Sequence, residues 1–189
     1  SDLEGKRLQD ALDLCIECKA CKAECPSNVD MAKMKAEMLT KYHDRHGVPL
    51  RAWLFGEVAM LSKIGSLMAP FSNLFLSLPP VKMLAERFGG IHSKRPIPKF
   101  ATRTFSGWMN HHSAPATTPR GEIVYFNDTF TEYWHPEVGR AAVRILEALG
   151  YHVNIVSQKR CCGRPLISKG QLGKAKTWAK HNVDALIPY

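Results

Sequence analysis

Four cysteines in one short loop constrain this chain more than any other feature. Cys15, Cys18 and Cys21 stand at every third position, and Cys25 follows four residues later, directly before Pro26. The iron corners of a cubane iron–sulfur cluster lie only a few ångströms apart, so a loop with this spacing can curl round the cluster and ligate three of them. The fourth corner then needs a cysteine from elsewhere in the chain.

The C-x2-C-x2-C-x3-C-P spacing is that of bacterial ferredoxins with two clusters, in which the cysteine before proline ligates the other cluster. By this rule Cys15, Cys18 and Cys21 are predicted ligands of one 4Fe–4S cluster, and Cys25 is a predicted ligand of a second. Pro26 prevents the loop from continuing as a helix, because it donates no N–H.

Two other uses of these thiols fit the pattern less well. A structural zinc site usually takes two cysteine pairs from separate places in the chain, whereas these four lie in one segment. Disulfide-rich secreted domains are small and dense in cysteine, whereas this chain has 6 Cys in 189 residues and no recognisable targeting segment before the loop. A zinc site and a disulfide framework remain the alternatives to an iron–sulfur site.

The formal net charge of +9 is compatible with nucleic acid, an anionic membrane surface or an acidic redox partner. The basic residues of the last third are not interleaved with the stacking aromatics that single-strand binders use, so no nucleic-acid partner is predicted. They are Lys159, Arg160, Arg164, Lys169, Lys174, Lys176 and Lys180. The first residue is Ser, and we expect the sequence to be a piece of a longer protein.

Residues 1–48 are predicted to form an α-helical, ferredoxin-like half-domain, in which one helix precedes the cysteine loop and another follows it. Asp30 is the predicted N-cap of the second helix, and Gly47 and Pro49 end it. The apolar positions at helical spacing are Leu8, Ala11, Leu12 and Cys15 in the first helix, and Met31, Met34, Met38, Leu39 and Tyr42 in the second.

Residues 49–119 are predicted to be a helical connector and a linker. The uncharged run 64–81 approaches transmembrane length, but prolines interrupt it, which favours short packed helices over a membrane span. Residues 93–119 are rich in Pro, Ser, Thr and basic residues, which is typical of a linker or of an extended segment laid over neighbouring domains. His111 and His112 within it are predicted to be solvated and not to bind a metal. A membrane-touching or partner-docking surface is the alternative for Phe71, Leu74, Phe75, Leu76 and Leu78.

Residues 120–189 alternate between strand and helix patterns. Residues 122–126 and 152–156 are predicted strands, with a helix over 136–149 between them and another helix after them. This β-α-β-α order predicts parallel strands joined by a right-handed crossover. Two strands make a marginal sheet, so the sheet is predicted to be incomplete and to gain strands from beyond Tyr189 or from a partner. The fold class of the whole chain is therefore predicted to be α+β.

The two helices of this region have predicted ends and apolar faces. Pro136 begins the first and Gly150 stops it, and Ser168 with Gln171 is a predicted capping box ahead of the second. The predicted apolar positions are Val138, Ala141, Ala142, Ile145, Leu146 and Leu149 in the first helix, and Leu172, Ala175, Ala179, Val183 and Leu186 in the second.

A second cysteine motif lies in the loop between the second strand and the last helix. Cys161 and Cys162 stand directly before Gly163, and ligands of parallel α/β units bind beyond the carboxyl ends of the strands, where this loop lies. Adjacent cysteines do not easily form a disulfide with each other. They are therefore candidate metal ligands or redox-active thiols, with two inert thiols as the alternative. Lys159 and Arg164 are candidates to stabilise a reduced cluster, with solvent-facing charge as the alternative.

With both motifs present, the chain resembles the iron–sulfur portion of FAD-linked D-2-hydroxyacid oxidoreductases, relatives of the glycolate oxidase and D-lactate dehydrogenase iron–sulfur proteins. Their hallmarks are paired ferredoxin-type motifs followed by cysteine-rich CCG domains. The matching residues are Cys15, Cys18, Cys21, Cys25 and Pro26, with residues 27–31, 125–129, 136–137, 149–151 and 161–165. The chain departs from the pattern in lacking a first ferredoxin motif and a second CCG repeat, and in having Asn127 and Asp128 where many CCG domains have a cysteine.

The resemblance implies an iron–sulfur electron-transfer segment of a flavin-dependent D-2-hydroxyacid dehydrogenase of the lactate, glycolate or 2-hydroxyglutarate class. FAD is expected in a flavin domain N-terminal to Ser1, so the chain alone is not expected to be catalytic. Its clusters would relay electrons to a quinone or a soluble acceptor, in the cytoplasm or at the inner face of the membrane. The alternatives are a freestanding iron–sulfur subunit of a multi-subunit oxidoreductase and an iron–sulfur nucleic-acid-binding protein.

Overall fold

The computed structural model describes residues 6–115 and 120–189, so Pro119 of the predicted linker lies outside the described residues. Twelve helices and two strands form in this part of the chain. In chain order they are α1 (Lys6–Asp13), α2 (Ala20–Glu24), α3 (Met31–His46), α4 (Leu50–Gly56), α5 (Val58–Leu67), α6 (Phe71–Ser77), α7 (Pro79–Gly89), α8 (Phe105–Met109), β1 (Glu122–Tyr125), α9 (Thr129–Tyr133), α10 (Pro136–Ala148), β2 (His152–Ile155), α11 (Arg164–Ser168) and α12 (Leu172–Leu186).

The described residues divide into two compact units. The first unit contains those within Ser1–Val58 and Arg160–Asp184, and the second contains those within Ala59–Lys159 and Ala185–Tyr189. This grouping differs from the three ranges predicted from the sequence, which remain predictions of the domain boundaries. Both cysteine motifs lie in the first unit, and both strands lie in the second.

The two strands of the second unit are parallel and pair from Glu122 with His152 to Tyr125 with Ile155. The connection between them contains the predicted helix α10 and, before it, the short helix α9, which was not predicted. A parallel pair needs such a crossover connection. Each strand ends one residue earlier than predicted. The predicted α+β class with an incomplete parallel sheet is confirmed.

The core of the second unit forms around Phe105, Val143 and Val153, which are buried almost completely. The linker prediction is therefore wrong for α8, since Phe105 begins this helix and packs against the sheet and α10. Thr104 caps α8 by accepting a hydrogen bond from the backbone N–H of Gly107. The prediction that His112 is solvated is also wrong, because its Nε2 lies 2.9 Å from the mostly buried carboxylate of Glu147.

The buried faces of α10 and α12 differ from the predicted apolar faces. In α10 the buried positions include Gly139 and Val143, whereas the predicted Val138, Ile145 and Leu149 are exposed. In α12 the predicted Ala175 is buried together with Asn182, which was not predicted, whereas the predicted Val183 and Leu186 are exposed. Both helices therefore keep unburied apolar side chains in the described part of the chain.

The core of the first unit packs α1 against α3 through Leu12, Met38 and Leu39. Helix α3 begins as predicted, because Asp30 accepts a hydrogen bond from the backbone N–H of Lys33 at 2.9 Å. It also ends as predicted, with Gly47 at its C-cap. Of the predicted stripe only Met34 is exposed, at 51%.

The uncharged run 64–81 is divided among three short helices, α5, α6 and α7, as predicted, and does not form one long helix. The prediction that they are packed is wrong for many of their large apolar side chains. The exposed ones, counting Met68 and Leu78 between the helices, are Met60, Ile64, Leu67, Met68, Phe71, Leu74, Phe75, Leu78, Met83, Leu84 and Phe88. Among residues 6–115 and 120–189, no helix is both long and apolar enough to cross a lipid bilayer.

Candidate metal centre

The cysteine loop connects α1 to α3 in the first unit and contains only the short helix α2. Glu17 and Lys19, on either side of Cys18, have left-handed backbone conformations with φ of 59° and 62°. Such conformations are uncommon for residues with a side chain and are often found at functional sites. They turn the backbone sharply on both sides of Cys18, whose side chain lies on the surface.

Cys25 lies at the end of α2 in an environment that favours its thiolate. Backbone hydrogen bonds from Val29, then Ser27 and Asn28, lower the pKa of the Cys25 thiol, although partial burial works against them. A thiolate is the form of cysteine that binds metal, because the proton must leave before the sulfur can donate its electrons. The surroundings of Cys25 therefore prepare its thiol as a metal ligand.

Lys35 of α3 anchors the cysteine loop to this helix, a role that was not predicted from the sequence. Its side chain is 10% exposed, and its Nζ donates a hydrogen bond to the backbone carbonyl of Cys15 at 2.8 Å. Asp13 and Glu17 each place a carboxylate oxygen 3.9 Å from the same ammonium. The sequence carries a weak signal of this role, because Lys35 stands four residues after Met31 and four before Leu39, on the buried side of an amphipathic helix.

Lys19 and Lys22 share the carboxylate of Asp30 as a partner, at 3.7 and 3.9 Å. Both lysines keep more than half of their side chains exposed. The pKa of Asp30 is lowered first by its hydrogen bond from the Lys33 N–H and then by the charges of these two lysines. Asp30 thus caps α3 and binds the charged side chains of the loop.

The loop with Cys161 and Cys162 is held by Asn182 of α12. The Asn182 amide accepts a hydrogen bond from the backbone N–H of Arg160 at 2.7 Å and donates one to the carbonyl of Cys161 at 3.2 Å. Gly163 follows with φ of 82°, a left-handed conformation that glycine adopts without strain, and α11 begins directly after it. Asn182 was not predicted, because the apolar pattern of α12 points to a different face.

The predicted capping box ahead of α12 is wrong. Ser168 belongs to α11, where its hydroxyl donates to the carbonyl of Pro165 at 3.2 Å. The side-chain amide of Gln171 donates to the carbonyl of Ala52 at 3.0 Å instead of capping a helix. Gln171 thereby ties the start of α12 to α4 within the first unit.

The two cysteine motifs stand at the starts of helices that contact each other, since α11 packs against α3 and α4. Cys15, Cys21, Cys25 and Cys161 are half-buried, Cys18 and Cys162 are exposed, and none of the six is in a disulfide. In the described part of the chain, no three Cys, His, Asp or Glu side chains are gathered as a set of metal ligands. The donor chemistry of the loop fits an iron–sulfur cluster, through its four thiols and the stabilised Cys25 thiolate.

The carboxyl ends of β1 and β2 carry a buried polar network in the second unit. Asn127, which is 1% exposed, donates to Glu132 at 2.6 Å and accepts a hydrogen bond from Lys159 at 2.7 Å. Burial lowers the pKa of Lys159, although the charges of Glu132 and Asp128 oppose this shift. Lys159 is therefore not a solvent-facing charge, and Asn127, at the position of a cysteine in many CCG domains, is a structural hydrogen-bonding residue here.

Residues 125–189 match the family model described as a cysteine-rich domain, CCG. This part of the chain is therefore similar to CCG cysteine-rich domains, and the predicted resemblance is confirmed. No solved structure gives a significant match to the chain.

Two of the proteins with related sequences are named as a dehydrogenase or as a subunit of one. Over 161 residues the chain is 31% identical to a component of the anaerobic glycerol-3-phosphate dehydrogenase of Escherichia coli (strain K12), over 85% of this chain and 40% of the relative. It is 26% identical to D-2-hydroxyglutarate dehydrogenase of the same organism, over 95% of this chain and 18% of the relative. Lactate utilization protein A 1 of Bacillus mycoides (strain KBAB4) is 36% identical over 34% of this chain and 26% of its own length.

Proposed function

We propose that this chain is the iron–sulfur electron-transfer segment of a flavin-dependent oxidoreductase that oxidises a D-2-hydroxy acid. The observation that carries the proposal is the anchored loop of four thiols, in which backbone N–H groups lower the pKa of Cys25. The chain spans only 40% and 18% of the lengths of two of its relatives. The identity of the substrate and the presence of a catalytic flavin domain in the full-length protein are therefore parts of what we propose.

In this proposal Cys15, Cys18 and Cys21 hold one 4Fe–4S cluster, and Cys25 is a ligand of a second. Clusters held by these cysteines would supply one-electron chemistry, and FAD in another part of the full-length protein would supply the hydride chemistry. The chain would contribute the cysteine sulfurs as ligands, together with the Lys35 ammonium, which holds the carbonyl of Cys15 and offsets negative charge near the loop.

Cys161 and Cys162 are the proposed ligands of a CCG-type cluster. Asn182 supports this role, because it fixes the backbone just before and at Cys161 through two hydrogen bonds. The contact between α11 and α3 also supports it, since both cysteine motifs then belong to one compact unit.

The proposed electron acceptor is a quinone or a soluble carrier, and we propose that the chain works at the inner face of the membrane. The exposed apolar side chains of α6 and α7 support this location, with Phe71 at 75% and Phe88 at 76% exposure. The formal net charge of +9 supports it as well, because anionic lipids attract a basic protein.

The test is the iron and acid-labile sulfide content of anaerobically purified full-length protein, with EPR spectra before and after reduction. We expect iron and sulfide in equal amounts, and we expect Cys18→Ser to lose a cluster signal and acceptor reduction while flavin reduction by substrate persists. Ser27→Ala is the matched control, because it changes the same exposed loop but keeps the backbone N–H that stabilises Cys25. Zinc without sulfide would contradict the proposal.

A second candidate is a freestanding iron–sulfur subunit of a multi-subunit oxidoreductase. It is favoured by the relative at 31% identity, which is named as a subunit of a dehydrogenase. Both candidates predict the same cluster content, so the discriminating measurement is the flavin content of the purified full-length polypeptide separated from other chains. Bound flavin in that polypeptide excludes the second candidate, and its absence there, with flavin on a copurifying chain, excludes the first.

A further inference from the structure

A basic cavity opens beside the first turn of α10 in the second unit, away from both cysteine motifs in sequence. Its volume is about 520 Å³, and its wall includes Lys99, Arg103 and Arg140 together with one carboxylate, Glu137. In the described part of the chain, no ion pair joins these three cations to a carboxylate. The wall therefore holds a surplus of positive charge in a concave surface.

Arg140 of α10 is a hydrogen-bond donor in this wall whose side chain is held by two contacts. Its Nη2 donates to the carbonyl of Arg103 at 3.4 Å, and its guanidinium lies 5.8 Å from the ring centroid of Trp108. Its Nε is buried and has no hydrogen-bond partner. A buried N–H without an acceptor costs free energy, so the surroundings of this guanidinium are short of hydrogen-bond acceptors.

The start of α10 adds to the positive potential of the cavity. Pro136 is the first residue of this 13-residue helix, and His135 at the N-cap makes no side-chain cap hydrogen bond. The positive end of the helix dipole therefore faces the same region of the wall. Glu137 offsets only part of the charge, since its side chain is 65% exposed and paired with His135 at 3.0 Å.

Asn73 of α6 holds another part of the wall in place. The Asn73 side chain donates to the carbonyl of Phe100 at 2.9 Å and accepts from the N–H of Phe100 at 2.8 Å. These two bonds fix the backbone next to Lys99. Trp134 packs edge-to-face on Phe100 at 5.0 Å and continues this wall. The cavity is thus built from elements whose positions are fixed by hydrogen bonds and packing.

We propose that this cavity binds a phosphate group, as a phosphate ester of a small molecule or as the phosphate of a lipid. Arginine side chains bind phosphate oxygens through two parallel N–H groups, and a lysine adds a point charge. The volume exceeds that of a bare phosphate, so part of an attached organic group fits as well. A lipid is one source of the group because Asn73 lies between Phe71 and Leu74 on α6, two side chains that are exposed by 75% and 66%.

Equilibrium dialysis against radiolabelled inorganic phosphate, at an ionic strength held constant with chloride, tests the site. We expect saturable binding that Arg140→Gln and Lys99→Gln each weaken by about tenfold or more. Lys99 is exposed, so its variant tests the charge without disturbing the fold, whereas Arg140 also packs on Trp108. Arg144→Gln removes an exposed cation of the same helix outside the cavity and should leave binding unchanged.

Flotation with vesicles identifies the source of the phosphate. A lipid source predicts flotation with phosphatidylglycerol in phosphatidylcholine but not with phosphatidylcholine alone, and loss of flotation in the Lys99 and Arg140 variants but not in Arg144→Gln. A soluble source predicts saturable phosphate binding without such flotation. The proposal is overturned if phosphate does not bind saturably and flotation is absent or the same in all variants. Neither measurement depends on the cluster content of the protein. Either the phosphate proposal or the electron-transfer proposal can therefore fail without the other.

Discussion

Lys35 is the residue on which the geometry of the cysteine loop depends most. Its ammonium is nearly buried, and it holds the carbonyl of Cys15 while facing Asp13 and Glu17. A buried ammonium is tolerated only when partners compensate for its lost hydration. The loop and α3 therefore support each other, because the loop carbonyl and carboxylates keep Lys35 in place.

We predict that Lys35→Met destabilises the protein by about 1–3 kcal/mol and lowers the amount of bound iron, because the carbonyl of Cys15 loses its donor. Lys33→Met is the control, since Lys33 lies on the same helix with its side chain 72% exposed. Urea unfolding and iron content of the two variants check the prediction. Equal stability and equal iron in both variants would show that Lys35 is dispensable for the loop.

At the residue scale, the sequence was enough to identify the cysteines as candidate ligands. It did not identify Lys35 and Asn182, which hold the cysteine loops in place. Thiol spacing is a covalent property of the chain, so the candidate ligands follow from it directly. Lys35 and Asn182 act through backbone carbonyls and N–H groups, and those groups are the same in every residue. Only the folded chain shows that the carbonyls of Cys15 and Cys161 lie next to these side chains.

At the element scale, the contact between α11 and α3 depends on a glycine. Gly170 ends the turn after α11 with φ of 63°, and a Cβ on it would lie 2.4 Å from the Cβ of Leu39 and 2.9 Å from the backbone nitrogen of Thr40. No other residue type fits such a close approach in this conformation without strain. The contact places the second cysteine motif beside the helix that follows the first.

We predict that Gly170→Ala destabilises the protein by at least about 2 kcal/mol, because it forces α11 away from α3 and strains the backbone. Gly173→Ala is a matched control three residues later, where a Cβ would meet nothing within 4 Å. That change in α12 should be neutral or stabilise by up to about 1 kcal/mol. Thermal unfolding of both variants tests this prediction. Similar melting temperatures for the two variants would disprove the close packing at Gly170.

The buried faces of α10 and α12 show why helical periodicity predicted only some of the residues that these helices bury. Helical periodicity finds an apolar stripe, but it does not show which side of that stripe meets the core. In α10 the small Gly139 turns toward the bulky Phe105, which a pattern of large apolar residues does not register. In α12 the polar Asn182 is buried because it serves the cysteine loop.

At the scale of the whole molecule, His43 links stability to pH. It is 7% exposed, and its Nδ1 is buried without a hydrogen-bond partner. Burial lowers its pKa below the ordinary value of 6.5, although a backbone hydrogen bond with Gly170 and the charge of Asp44 oppose the shift. The unfolded chain therefore takes up a proton near pH 6.5, whereas the folded chain takes it up only at lower pH.

We predict that the free energy of unfolding falls as the pH drops below 6.5, because the unfolded state then binds one proton more than the folded state. Linkage limits this contribution to a slope of about 1.4 kcal/mol per pH unit, and the slope ends below the folded pKa. Urea unfolding of His43→Gln should show a smaller slope in this window. His46→Gln, at an exposed position of the same helix, should keep the slope of the unchanged protein. A slope unaffected by His43→Gln would contradict the prediction.

The sequence alone was enough to predict the two cysteine motifs, the α+β class, the parallel pairing of the strands and the starts of α3 and α10. These features depend on spacing, capping residues and the order of neighbouring elements, which are local properties of the chain. The tertiary structure alone decided that α11 packs on α3, that Lys35 and Asn182 hold the cysteine loops, and that Lys99, Arg103 and Arg140 line one cavity. Such contacts join residues that are far apart in the chain. They form because the side chains pack closely in the folded protein, and local sequence patterns do not predict that packing.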